Sequence, residues 1–147
     1  MASSLFPDVN VWLALTHSRH VHHRIAAQWF DSVTDSVLFF CRFTQLGLLR
    51  LLTNAQVMGG DVMAQRSAWQ AYRRWFEDSR IEFHREPESA AFEESFEQLS
   101  IKPQPSPKLW SNAYLAAFAR TAGLVVVTFD QTFPTVGSAS VAVLRPH

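Results

Sequence analysis

The chain has 147 residues, 48% of them hydrophobic and 18% charged, which excludes a disordered polypeptide and is enough to bury a core. Thirteen basic side chains balance thirteen acidic ones, so a nucleic-acid partner would need a local patch and not global attraction. The lone cysteine, Cys41, excludes an internal disulfide framework and fits a reducing compartment.

In chain order, Leu5-Phe6 is an apolar run that stops at Pro7, which has no N–H to give a sheet and so ends a strand. Asp8 follows, and then Val9 to about His17 predicts a short helix. His17, His20, His22 and His23 interrupt the apolar pattern. Four histidines in seven residues raise a zinc alternative, but structural zinc sites pair Cys and His at wider spacings, so a polar helix–helix junction is the better reading. A helix over roughly Val21 to Ser32 is expected next, with Ile25, Ala26, Trp29 and Phe30 on one face. Val37-Leu38-Phe39-Phe40 is the pattern of a buried parallel strand. Thr44-Gln45 is expected to open a helix over Leu46 to Leu52, with Thr44 as its N-cap. Met63 to about Ser79 predicts a longer helix with a stripe of Ala68, Tyr72, Trp75 and Phe76. Ile81 to His84 alternates like an edge strand, and a helix near Glu88 to Leu99 turns Phe92 and Phe96 inward. Ser106-Pro107 is the signature of a helix start, predicting a helix from Pro107 to Thr121. Leu124 to Val127 is the most strand-like segment, Thr128-Phe129-Asp130 leaves it, and Val141 to Leu144 is a final strand. No repeat or linker divides residues 1–147, so one domain is expected.

Alternating strands and helices imply an α/β fold, a mainly parallel sheet of about five strands with helices on both faces. In such sheets ligands bind outside the carboxyl ends of the strands. Three strand exits then face one crevice, carrying Asp8, Thr44-Gln45 and Asp130. Asn112, disfavoured inside a helix, sits between Trp110 and Tyr114 where it can reach the same rim. Two carboxylates with amide and hydroxyl oxygens beside them suit Mg²⁺ or Mn²⁺. Such an ion removes like-charge repulsion and can activate water against a phosphodiester. The alternative for Asp8 and Asp130 is helix capping, and for Asn112 a helix that restarts there.

Four blocks carry a resemblance. Pro7-Asp8-Val9-Asn10-Val11-Trp12-Leu13-Ala14-Leu15, Thr44-Gln45-Leu46-Gly47-Leu48-Leu49-Arg50-Leu51-Leu52-Thr53-Asn54, Asn112-Ala113-Tyr114-Leu115-Ala116-Ala117-Phe118-Ala119 and Thr128-Phe129-Asp130 occur in the order found in PIN-domain ribonucleases. They most resemble the VapC toxins of bacterial toxin–antitoxin pairs. The resemblance implies a PIN-like α/β/α sandwich, Mg²⁺- or Mn²⁺-dependent cleavage of RNA, a small inhibitory antitoxin as partner, and often a homodimer. It places the family's first acidic residue on Asp8 and its last on Asp130. Two positions depart. Gln45 stands where many members have Glu, and Asn112 where the family has Asp. An amide oxygen can still ligate, but a full negative charge is gone, so metal affinity and water activation should fall. Three origins fit: a weakened enzyme, a non-catalytic member, or an Asp→Asn change made to silence a toxic protein.

The resemblance therefore implies a metal ligated by Asp8, Asn112 and Asp130, with Gln45 and Thr44 orienting it and Asn10 and Thr128 supporting the shell. Arg42 and Arg50 are candidate phosphate contacts, weighed against packing or surface roles. The competing class is a PIN-like module that holds RNA or antitoxin without cutting. A phosphatase reading of Asp8-Val9-Asn10 is weaker, since it needs a second Asp at Asn10. No signal-peptide pattern opens the chain and no apolar run reaches spanning length, so a soluble cytoplasmic protein with no membrane partner is expected.

Overall fold

The computed structural model describes residues 3–133 and 140–145. Five strands form one sheet: β1 (Ser4–Pro7), β2 (Val37–Phe40), β3 (Ile81–Phe83), β4 (Val125–Thr128) and β5 (Ser140–Val143). Their order is β3-β2-β1-β4-β5, and every pairing is parallel. The chain builds outward from β1 to β2 and β3, then crosses back to lay β4 on the other side of β1. That reversal puts a topological switch point between the carboxyl ends of β1 and β4, where an open α/β sheet forms its crevice. As expected, Ile81 begins an edge strand.

Helices α1 (Val9–Thr16), α2 (His23–Ser32), α3 (Arg42–Leu52), α4 (Ala55–Met58) and α5 (Gln65–Trp75) follow the first strands, with a 3₁₀ turn at Gly59–Asp61. Helices α6 (Ala90–Ser100) and α7 (Leu109–Ala122) lead into β4. Two buried clusters result. One joins Trp12, Leu38, Phe40, Leu48 and Tyr72; the other joins Phe6, Phe92, Phe118 and Val126. β1 shows the alternation that feeds both: Leu5 packs in the first cluster and Phe6 in the second. The centre of the first is a stack of Trp12 on Phe40, ring centroids 3.8 Å apart. Arg80, just before β3, caps the C-terminal end of α2, donating from Nη1 to the carbonyls of Phe30 and Val33 at 2.8 and 3.1 Å. No helix among the described residues is long and apolar enough to cross a membrane.

Several expected boundaries move. Helix α3 starts at Arg42, not Leu46, and its cap is Cys41. Thr44 is the third helical residue; its Oγ1 accepts from the Cys41 N–H at 2.9 Å and so closes a reciprocal capping box. Helix α7 begins at Leu109, two residues after Pro107, because Ser106 and Pro107 form a turn in which the Leu109 N–H donates to the Ser106 carbonyl. Asn112 therefore lies inside the helix and caps nothing. Helix α5 ends at Trp75, leaving Phe76 as its C-cap, 37% exposed, so the stripe is buried only at Ala68 and Tyr72.

Candidate active site at the switch point

Asp8 leaves β1 at the switch point and caps α1, its Oδ1 accepting from the Val11 N–H at 3.0 Å. The capping alternative is thus realised, but it uses one oxygen. The other accepts a short hydrogen bond from the Thr128 hydroxyl at the end of β4. Thr128 Oγ1 in turn accepts from the Asp130 N–H at 3.0 Å. Asp130 Oδ1 accepts from the Thr132 N–H and hydroxyl, at 2.8 and 2.7 Å. Asp130 Oδ2 accepts from Asn112 Nδ2 at 3.0 Å. A continuous polar line, Asp8–Thr128–Asp130–Asn112, therefore joins β1, β4 and α7. It borders a cleft of about 210 Å³ lined by Asp8, Asn10, Phe43, Lys108, Ser111 and Asn112, among others.

The two carboxyl groups differ sharply. Asp8 is 7% exposed, and burial raises its pKa above the ordinary carboxylate value. Hydrogen bonds from Thr128 and from the backbone of Val11 and Asn10 oppose that rise, and the charge of Asp130 adds to it. Asp130 lies nearer solvent, and its bonds with Thr132 hold its pKa below the ordinary value. Asp8, Asp130 and the Asn112 amide bring hard oxygens together along this line, and Asp8 is a buried carboxylate with no cationic partner among the described residues. That donor set fits a divalent ion of the Mg²⁺ or Mn²⁺ type. Among the described residues no three His, Cys, Asp or Glu side chains converge on one point, and the side chain that meets Asp130 here is the uncharged Asn112.

The PIN-domain family model matches residues 5–138. The chain belongs to the PIN-domain family. Ribonuclease VapC41 of Mycobacterium tuberculosis is 41% identical over 145 residues, 95% of this chain and 98% of the relative. The crystal structure of Mycobacterium tuberculosis VapC20, a sarcin–ricin loop cleaving toxin, superposes with a TM-score of 0.65 at 19% identity, covering 90% of this chain and 95% of that one. VapBC2 from Rickettsia felis, bound to a DNA fragment from its promoter, gives 0.69 at 10% identity, covering 97% and 99%. At those identities the two structures speak for the fold alone.

In this PIN domain the remaining candidates separate. Asn10 is exposed and lines the cleft. Thr44 is fully buried and engaged with Cys41, so its hydroxyl serves the helix start. Gln45 is buried, with its amide oxygen taken by Arg42 Nη1 at 2.5 Å and the Tyr72 hydroxyl near it. No described hydrogen bond joins Gln45 to Asp8, Asn112 or Asp130. Arg42 also lies 5.1 Å over the Phe83 ring. Arg50, eight residues further along α3 and so about 12 Å away, lines a separate groove with Trp69 and Gln65. The four histidines have separate partners around the α1–α2 turn and do not converge: His17 Nε2 lies 4.0 Å from the Asp61 carboxylate, His23 Nδ1 donates to the Ala14 carbonyl, His20 Nδ1 accepts from the His22 N–H, and the His22 ring stacks on Phe129. Lys108 and Ser111 were not singled out in the sequence. Their signal is helical spacing: Lys108, the N-cap of α7, precedes Asn112 by four residues, and Ser111 follows Lys108 by three.

Proposed function

We propose that this PIN domain is a VapC-type toxin, a divalent-metal-dependent endoribonuclease restrained by a small antitoxin. The observation that carries the proposal is the polar line Asp8–Thr128–Asp130–Asn112 at the switch point. Asp8, Asp130 and the amide oxygen of Asn112 would hold Mg²⁺ or Mn²⁺. When bound, such an ion offsets the negative charge of a phosphodiester and lowers the pKa of water beside it. The chain's own groups do the rest. Thr128 and the Val11 N–H fix the Asp8 carboxylate in one orientation, so no reorganisation is needed as substrate arrives. Thr132 and Asn112 do the same for Asp130. Asn10 presents a second amide at the mouth of the cleft, and Gln45 positions Arg42. The family likeness extends the proposal to a homodimer that works in the cytoplasm.

A second reading rests on Asn112 itself: with only two carboxylates, the fold would hold RNA or antitoxin as a binding module without cutting. The two separate in one assay, metal-dependent cleavage of a structured RNA by this chain and by its Asn112→Asp variant, with and without EDTA. The nuclease reading expects Asn112→Asp to cleave at least about 10-fold faster, the scale on which changes around a metal site act, and EDTA to abolish cleavage. Cleavage by neither protein would sink the nuclease and leave the module.

A further inference from the structure

We infer that Lys108 is a substrate-positioning residue that holds a non-bridging phosphate oxygen of the RNA across the cleft from the carboxylates. The inference rests on the nuclease reading of the same site and adds the substrate contact that the reading leaves out.

The cleft has two unlike walls. Asp8 lines one side at the end of β1, the start of α7 forms the other, and Asp130 stands just behind Asn112, which donates to it. Residues 108, 111, 112 and 115 recur at the three- and four-residue intervals that bring side chains onto one helix face, and all four line the cleft. Lys108 is thus placed one turn ahead of Asn112 and looks into the same space. Among the described residues it is the one cationic side chain lining that cleft. Its charge is also uncommitted: among the described residues no carboxylate pairs with it, whereas Arg19 is bound to Asp61 and Arg80 to Asp78. Arg42, at the start of α3, already donates to Gln45 and covers Phe83.

Chemistry asks for such a group. A phosphodiester approaching Asp8 and Asp130 meets two negative charges, and Asn112 contributes no charge of either sign. An ammonium on a flexible stem, directed by a helix face rather than clamped by a partner, can meet one phosphate oxygen as a point charge. The Ser111 hydroxyl lies on the same wall and can donate to a neighbouring oxygen.

The test is equilibrium binding of a fluorescent single-stranded RNA in EDTA, followed across salt concentration, for the parent chain, Lys108→Ala, Lys108→Arg and Lys102→Ala. Lys102 sits on the preceding loop outside the cleft and removes the same net charge. Each phosphate contact to single-stranded nucleic acid contributes about 0.7 to the slope of log K against log salt. Lys108→Ala is expected to lower the slope by that amount and weaken binding several-fold. Lys108→Arg should keep the parent slope, and Lys102→Ala should leave it unchanged. In the Asn112→Asp background, Lys108→Ala should raise KM more than it lowers kcat. Equal slopes for parent and Lys108→Ala would overturn the inference while leaving the nuclease reading intact. An equal drop for Lys102→Ala would overturn it too, by showing only net charge. A parent chain that binds no RNA in EDTA would also overturn the inference, while the nuclease reading would still be judged by metal-dependent cleavage.

Discussion

Asp8 serves two ends that oppose each other. Its Oδ1 caps α1 and its Oδ2 ties β1 to β4, yet the carboxylate is buried without a cation. Its folded-state pKa is raised by burial, with 3.8 as the ordinary value. A group raised in this way favours folding below its unfolded pKa, and that contribution is lost as pH rises through the folded pKa. At neutral pH Asp8 therefore weakens the fold that it helps to arrange. Asn keeps the cap, since Asn and Asp are equally good N-caps, and the Thr128 hydroxyl can turn to accept from the new amide. Asp8→Asn in EDTA is expected to melt above the parent at pH 7, the difference shrinking as pH falls toward 3.8. Melting curves at several pH values decide it, and a lower melting temperature at pH 7 would contradict it. At this scale the placement of side chains was legible where it depends on strand exits, as with Asp8, Thr128 and Asp130. Lys108 was not, because a lysine at a helix start reads as an ordinary solvated charge until the fold shows which cleft that end of α7 borders.

At the scale of elements, α1 and α3 meet through Gly47. A Cβ there would lie 2.6 and 2.9 Å from the two γ-methyls of Val9. Valine is stiff at χ1, so no rotation clears both methyls. An isolated helix gains about 1 kcal/mol when Gly becomes Ala, which makes the sign of the change informative. Gly47→Ala is expected to destabilise by roughly 1–3 kcal/mol, the usual cost of overpacking. Val9→Ala should recover most of that loss in a double-mutant cycle by denaturant unfolding. A stabilising Gly47→Ala, or strict additivity, would show that the helices do not meet this closely. Because Val9 directly follows Asp8, the same packing fixes where the carboxylate stands. The glycine was visible in the sequence, but not its partner, 38 positions earlier. Element types were legible from apolar periodicity, and the parallel order followed from their alternation. Helix starts were less so. Cys41 caps α3 with help from Thr44, a role that Thr44 was expected to fill alone, since a cysteine is not a usual cap residue.

Across the whole molecule, the two clusters grip the sheet from either face and leave its carboxyl edge open at one switch point, where the acidic side chains gather. Carboxylates brought together by the fold repel, and an ion that binds only the folded state repays that repulsion through mass action. Asn112 alters the balance in a measurable way. In the parent, Asn112 Nδ2 donates to Asp130 Oδ2 at 3.0 Å, an attractive contact that requires no metal. Asn112→Asp replaces it with two carboxylates facing each other, so in EDTA that variant should melt below the parent. Added Mg²⁺ or Mn²⁺ should reverse the order. A ligand at 100 times its Kd stabilises by about 2.7 kcal/mol, and each 1 kcal/mol moves the melting temperature of a protein this size by roughly 2–4 °C. Asn112→Asp should thus gain several degrees in millimolar metal, the parent clearly less, and a double variant that also carries Asp130→Asn almost nothing. Equal shifts in all three would mean that the ion binds elsewhere, and the polar line at the switch point would then be a structural brace and not a metal centre.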